Sequence, residues 1–96
     1  MKLQQIILEL EKVKHPTIDY SLIKLGIIAD VRLKENKVFV VFAFPFSKIP
    51  IADDIIRSVK HRVRSLSFSF SYKERIMNEV EKVRFLNLES EGRNEF

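Results

Sequence analysis

Residues 15–28, with the sequence HPTIDYSLIKLGII, decide how this chain is organised. Pro16 disfavours helix at the residue before it, so the amphipathic segment of residues 3–13 has to end by this point. Gly26 stands directly before a run of β-forming residues, and glycine adopts a positive φ there at little cost. The stretch therefore predicts a helix, a connecting loop and a turn at Gly26 into a first strand.

A hairpin is predicted after Gly26. Residues 27–34 alternate between apolar and polar side chains, with Ile28 as the exception. The residues expected to share the inward, apolar face are Ile27, Ala29, Val31 and Leu33. After the polar pair Glu35-Asn36, residues 38–44 are apolar on both faces. Such a strand is either covered on both sides or part of an interface.

The second half predicts a helix, a strand and a helix. Pro50 suits the first turn of a helix that runs to about Ser65, with Asp53 and Asp54 complementing the positive end of its dipole. Residues 68–72 alternate aromatic residues with serine and predict a strand with its aromatic side toward the core. A final helix is expected from Glu74 to about Asn87, with these residues on its apolar side: Ile76, Met77, Val80 and Val83.

These elements define one fold class. The connection over residues 50–65 is long enough for a crossover, which predicts an α/β (α+β) fold with two layers in the order α-β-β-α-β-α. Its sheet is expected to be small, mixed and three-stranded. We expect residues 1–88 to form a single domain and residues 89–96 to be a polar, disordered tail.

Composition excludes several activities. The 96 residues contain no cysteine, so disulfides, thiolate metal ligands and a thiol nucleophile are absent. Gly26 and Gly92 are the two glycines, too few for a phosphate-binding loop or a nucleophile elbow. His15 and His61 lie on different elements without a carboxylate cluster, which argues against zinc. We therefore expect a protein that is not an enzyme and has no cofactor.

No apolar run approaches the roughly 20 residues of a membrane span, and the N-terminus lacks the features of a signal peptide. These features predict a cytoplasmic protein that does not contact a membrane. The net charge of +4 permits attraction to nucleic acid or to an acidic protein without selecting either.

Three segments resemble the small iron-sulfur cluster assembly domains, the PaaD-like and SufT-like proteins that also occur as the N-terminal domain of Mrp-type ATPases. Residues 15–28 resemble their "DPE, then SIVDLGLV" signature, and residues 49–55 lie where they carry a Cys-Pro followed by "LADAI". Residues 77–81 match their closing "MSEEA". The matching residues are mostly structural: Pro16, Ser21, Leu25, Gly26, Pro50, Ala52 and Met77.

The resemblance implies a role in the maturation of iron-sulfur proteins, with three departures. Ile49 replaces the family cysteine, His15 replaces the aspartate of the proline turn, and Lys24 replaces an acidic residue. The leading hypothesis is a non-enzymatic adaptor that binds an iron-sulfur cluster carrier, an Mrp-type ATPase or a client protein. The expected contact residues are those of the double-proline loop: Phe44, Pro45, Phe46, Ser47, Lys48, Ile49 and Pro50.

Two alternatives remain open at this stage. Charged residues spaced along the second helix predict one basic face, which suits nucleic acid or a solvated surface. The residues of this basic face are Arg57, Lys60, His61 and Arg64. The doubly apolar strand of residues 38–44 could instead form a homodimer.

Overall fold

A computed structural model describes residues 1–93 and confirms the expected order of elements. The elements are α1 (Leu3–Leu10), β1 (Ile28–Lys34), β2 (Lys37–Phe44), α2 (Ala52–Ser65), β3 (Ser69–Ile76) and α3 (Glu79–Gly92).

The strands form one mixed sheet in the order β1-β2-β3. β1 and β2 pair as an antiparallel hairpin, while β2 and β3 pair in parallel through the crossover helix α2. β2 lies between the two other strands, and its residues from Val40 to the end are all buried. The single chain thus buries residues on both faces of β2, which fits its doubly apolar pattern.

The core lies between one face of the sheet and the layer of α1 and α2. Val38, Val40 and Phe42 point into it from β2 and are fully buried. The helices contribute the facing side chains, namely Ile6, Leu10, Ile55, Val59 and Val63. Each such buried aliphatic side chain contributes about 1.5–3 kcal/mol relative to an exposed position, so this layer is a major source of stability.

The start of β1 explains the exception in its alternation. The pairing with β2 shifts between Ile28 and Asp30, which is a β-bulge that leaves Ala29 exposed and Ile28 buried. The expected inward position of Ala29 is therefore wrong. Gly26 has φ +79°, which confirms the predicted turn before the strand.

Two helix boundaries differ from the expectation. α1 ends at Leu10, so the turn at Glu11 and Lys12, and not Pro16, ends the helix. α2 begins at Ala52 after the N-cap Ile51, so Pro50 precedes the helix and does not occupy its first turn.

The largest correction concerns residues 74–87. β3 continues to Ile76, and α3 begins at Glu79 after the N-cap Asn78. Val80 and Val83 are 80% and 55% exposed and Ile76 is 51% exposed, so the expected apolar side of this helix is wrong, except for the buried Met77. Phe85 is the side chain that α3 buries in the core.

α3 also extends past the expected end near Asn87. Residues 89–92, expected in a polar tail, are helical, and Gly92 is buried against the ring of Tyr20. The Asp19 N–H donates to the Gly92 carbonyl at 2.7 Å, which ties the helix to the loop before β1. Residues 94–96 of the expected tail lie outside the described residues. None of the helices formed by residues 1–93 combines the length and the apolar character needed to cross a bilayer.

Candidate functional site

The loop of residues 44–50 follows β2 and combines buried residues with one exposed aromatic side chain. Phe44 and Pro45 are buried and Ile49 is half-buried, whereas Ser47, Lys48 and Pro50 are exposed. Phe46 is the exposed aromatic residue of the loop, with 51% of its surface accessible. The Lys82 Nζ of α3 lies 4.8 Å from the centre of the Phe46 ring, which is a cation–π contact between α3 and the loop.

Two hollows lie on either side of this loop, and Phe44, Phe46 and Ile49 line both. One is a mainly apolar cavity of about 330 Å³ that reaches His15, Phe85 and Glu89. The other is an open groove of about 470 Å³ whose far wall is the end of β3, residues 74–76. The loop is therefore bounded by concave surfaces on both sides, which suits binding of a partner's side chains.

His15 closes the turn before Ile18. Its Nδ1 accepts hydrogen bonds from the backbone N–H groups of Thr17 at 3.1 Å and Ile18 at 3.2 Å. These bonds require an unprotonated Nδ1, so the neutral ring carries its proton on Nε2. Burial lowers the pKa of His15, and the nearby Glu89 carboxylate opposes that effect. The imidazole thus supplies the acceptor that an aspartate side chain gives in such turns.

The groove wall is fixed by an ion pair between β3 and α3. The Arg75 guanidinium donates to both carboxylate oxygens of Glu81 at 2.8 Å, and the Asn78 N–H donates to the same carboxylate at 2.9 Å. The bonds from Arg75, followed by the smaller effect of the Asn78 N–H, lower the pKa of Glu81 to about 2. Sequence reasoning missed this wall because it assigned residues 74–76 to the last helix.

Residues 1–93 contain no cluster of three or more His, Asp or Glu side chains able to hold a metal ion. Ile49 offers no donor atom, and His15 uses Nδ1 for the backbone. The arrangement can bind apolar side chains and a backbone, whereas it lacks a set of ligands for a cluster.

The basic face lies elsewhere on the molecule. Arg57, Lys60, His61 and Arg64 are exposed along α2. The Arg57 Nη1 lies 3.1 Å from Asp54 Oδ1, so one of its charges is partly compensated within the same helix.

The elements and the loop form a small α+β domain whose fold is similar to that of a solved structure. A crystal structure titled "Domain of Unknown Function DUF59", from Bacillus anthracis, has the same fold with a TM-score of 0.62. The two chains are 18% identical, and the alignment covers 83% of this chain and 87% of that one. No curated protein matches this sequence.

A family model described as "Iron-sulfur cluster assembly protein" matches residues 3–69, which is more than half of the chain. The chain therefore belongs to the iron-sulfur cluster assembly protein family. The match includes α1, the hairpin, the loop of residues 44–50 and α2, whereas α3 and nearly all of β3 follow it.

Proposed function

We propose that this protein is a non-enzymatic adaptor in iron-sulfur cluster assembly in the cytoplasm. It binds a cluster carrier, an Mrp-type ATPase or a client protein through the loop of residues 44–50. The observation that carries the proposal is the loop itself, where an apolar Ile49 lies between two hollows at the position that the family resemblance assigns to a cysteine. Recognition of a partner protein requires a shaped surface and no thiolate.

Phe46 is the expected anchor of this contact. Aromatic side chains that enter a partner's pocket contribute a large share of the binding energy in many interfaces. The Lys82 ammonium holds the exposed ring in place, so little side-chain freedom is lost on binding. The apolar cavity beside it can receive a side chain from the partner in return.

The first test measures binding of purified cluster carriers and of an Mrp-type ATPase to the variant Phe46→Ala. We expect affinity to fall by about tenfold or more, the range of an interface hot spot. Leu8→Ala is the matched control, because Leu8 is 59% exposed on α1, away from the loop. Equal affinity of both variants for every cluster protein that binds would contradict the proposed contact.

A second test uses the absence of native cysteine. Ser47→Cys places one thiol in the loop, and Asn87→Cys places one on the exposed side of α3. Saturation with a bound carrier should slow maleimide labelling of the first thiol and leave the second unchanged. Protection of the α3 thiol alone would move the contact away from the loop.

A further inference from the structure

The two edges of the sheet differ in how they are protected. β1 forms one edge and carries the bulge between Ile28 and Asp30, a feature that hinders pairing with another strand. β3 forms the other edge and pairs with β2 without interruption, from Ser69 opposite Lys37 to Ile76 opposite Phe44. Residues 72–76 are all exposed. β3 is therefore a regular edge strand, and within residues 1–93 no other segment covers its residues 72–76.

The direction of the backbone groups of β3 follows from its ends. The Ser69 N–H donates to the Asn36 carbonyl at 2.9 Å, and the Met77 N–H donates to the Phe44 carbonyl at 2.8 Å. Odd-numbered residues thus face β2, and the even-numbered residues direct their N–H and C=O groups outward. Among these outward groups, one has a hydrogen-bond partner within residues 1–93. It is the Ile76 carbonyl, which accepts a long bond of 3.4 Å from the Arg75 guanidinium.

The side chains of β3 give the edge two different faces. Tyr72 lies on the side of the helices, where its ring meets Phe42 edge-on, and it remains 45% exposed. Ile76 lies on the same side and lines the groove of about 470 Å³ together with Phe46. Lys73 points to the opposite face, is exposed and forms no ion pair within residues 1–93. On the side of the helices an added strand would meet Tyr72 and Ile76, with the Glu74 carboxylate between them. On the opposite face it would meet the positive charge of Lys73.

A second copy of the chain fits this edge poorly. In antiparallel pairing about a two-fold axis at Lys73, that lysine opposes its own copy. With the axis at Glu74, the glutamates oppose each other and Lys73 opposes Arg75. Like charges directly opposite each other destabilise a strand pair. With the axis at Tyr72, Lys73 opposes Ser71 and no like charges meet. None of the three registers gives Lys73 an acidic partner, which favours a different occupant of this edge.

We propose that β3 accepts an extended segment of a partner protein as an additional strand of the sheet. This segment alternates apolar residues, which pack against Tyr72, Ile76 and Phe46, with acidic residues, which lie beside Lys73. The inference rests on the proposed adaptor function, and it adds how a partner is held and what sequence pattern the partner presents.

The probe for this test is a fluorescent peptide that alternates valine and glutamate. It has 8 residues, the length of β3, which is within the usual range for strands. We expect it to bind and to increase the anisotropy of its label. Methylation of its amide nitrogens on one edge removes the donors without changing the side chains, and should reduce affinity by about tenfold or more. Equal binding of methylated and unmethylated peptide, or no binding, would overturn strand addition.

Glu74→Pro tests the same edge from the protein side. The N–H of residue 74 points outward, so proline removes a donor from the edge and spares the bonds to β2. We expect this variant to lose peptide binding while Glu74→Ala retains it. Where circular dichroism shows that the proline variant is unfolded, the methylated peptide decides the question with the wild-type protein.

Lys73→Glu tests the predicted charge pattern. This variant should bind the glutamate peptide more weakly and gain affinity for a peptide with lysine in place of glutamate. Lys60→Glu makes the same change of charge on α2 and should have no such effect. Equal responses of both variants would indicate non-specific attraction and overturn the charge pattern. Light scattering that shows a dimer which Glu74→Pro dissociates would assign the edge to a second copy instead.

The outcomes separate this inference from the adaptor function. Binding of a cluster carrier that Phe46→Ala weakens and Glu74→Pro leaves unchanged would retain the adaptor and overturn strand addition. Peptide binding through β3, with no binding of any cluster protein, would retain strand addition and overturn the adaptor.

Discussion

At the residue scale, two of the three departures from the family motif, Ile49 and His15, have different consequences. Ile49 removes a donor atom from the loop and leaves an apolar surface. His15 replaces an aspartate and still accepts two backbone hydrogen bonds in the proline turn, at 3.1 Å and 3.2 Å. The first departure changes what the site can bind. The second preserves local structure through a different acceptor, whose pKa burial lowers.

His15 gives the stability of this protein a pH dependence. Its pKa is lower in the folded chain than in the unfolded chain, so the unfolded chain binds more protons as the pH falls. The free energy of unfolding should therefore decrease from about pH 7 down through the folded-state pKa, and the contribution is complete above the unfolded value of about 6.5. Chemical denaturation at a series of pH values measures this slope.

His15→Asn is the informative variant, because asparagine accepts hydrogen bonds in such turns and does not titrate. We expect its stability between about pH 7 and pH 5 to depend less on pH than that of the wild type. His61→Asn is the matched control on exposed α2 and should keep the wild-type slope. An unchanged slope in the His15 variant would show that this turn does not couple to protonation.

At the element scale, the sequence predicts the order of helices and strands and misplaces the boundary between β3 and α3. Alternation is clear in residues 69–73 and ends at Glu74, where the strand continues as an exposed edge that requires no apolar positions. Val80 and Val83 have the spacing of a buried side of a helix, although both are exposed. The groove wall was missed for this reason.

A local signal for the boundary was nevertheless present. Asn78 and Glu81 have the spacing of a capping box, and the structure shows both of its bonds, Glu81 N–H to Asn78 Oδ1 at 2.8 Å and Asn78 N–H to Glu81 Oε1 at 2.9 Å. By contrast, the family resemblance and the predicted helix start indicate residues 44–50 as a candidate contact loop. Its neighbours Phe85 and Glu89 come close to it only in the folded chain.

Asn78→Ala should destabilise the protein by about 1 kcal/mol, the typical cost of losing an N-cap. Asn87→Ala is the control, since Asn87 is exposed within the same helix. Urea denaturation compares the two variants. Equal stability of both would show that the capping box does not contribute to folding.

Glu81→Gln addresses the other half of the capping box. The Arg75 guanidinium and the Asn78 N–H hold the pKa of Glu81 at about 2, compared with a reference value of 4.5. A lowered carboxyl pKa stabilises the folded state above the unfolded value, and this contribution is lost as the pH falls toward about 2. The variant should therefore be less stable near neutral pH and lose less stability on acidification. A parallel acid titration by circular dichroism measures the difference.

At the scale of the whole molecule, the last turn of α3 packs against the loop between α1 and β1. The last turn of α3 contacts the loop before β1 through the Gly92 carbonyl, through the Tyr20 hydroxyl, which donates to Glu91 at 3.2 Å, and through a bridge between Ile18 and Arg93. The same loop carries His15, and α3 also carries Lys82 and Glu89. The position of α3 therefore determines the shape of the cavity beside Phe46.

A pair of truncations tests this dependence. A chain that ends at Leu88 corresponds to the domain expected from the sequence, and a chain that ends at Arg93 keeps the contacts of the last helical turn. Loss of the backbone hydrogen bond from Asp19 to Gly92 and of the side-chain bond from Tyr20 to Glu91 should make the shorter chain less stable by about 2 kcal/mol, at roughly 1 kcal/mol for each net bond. It should also bind a cluster carrier more weakly, because the Lys82 contact to Phe46 depends on the position of α3. Urea denaturation and the carrier-binding assay of the Phe46 variants supply both measurements. Equal stability of the two chains would show that residues 89–93 are dispensable for folding, as the sequence alone suggested.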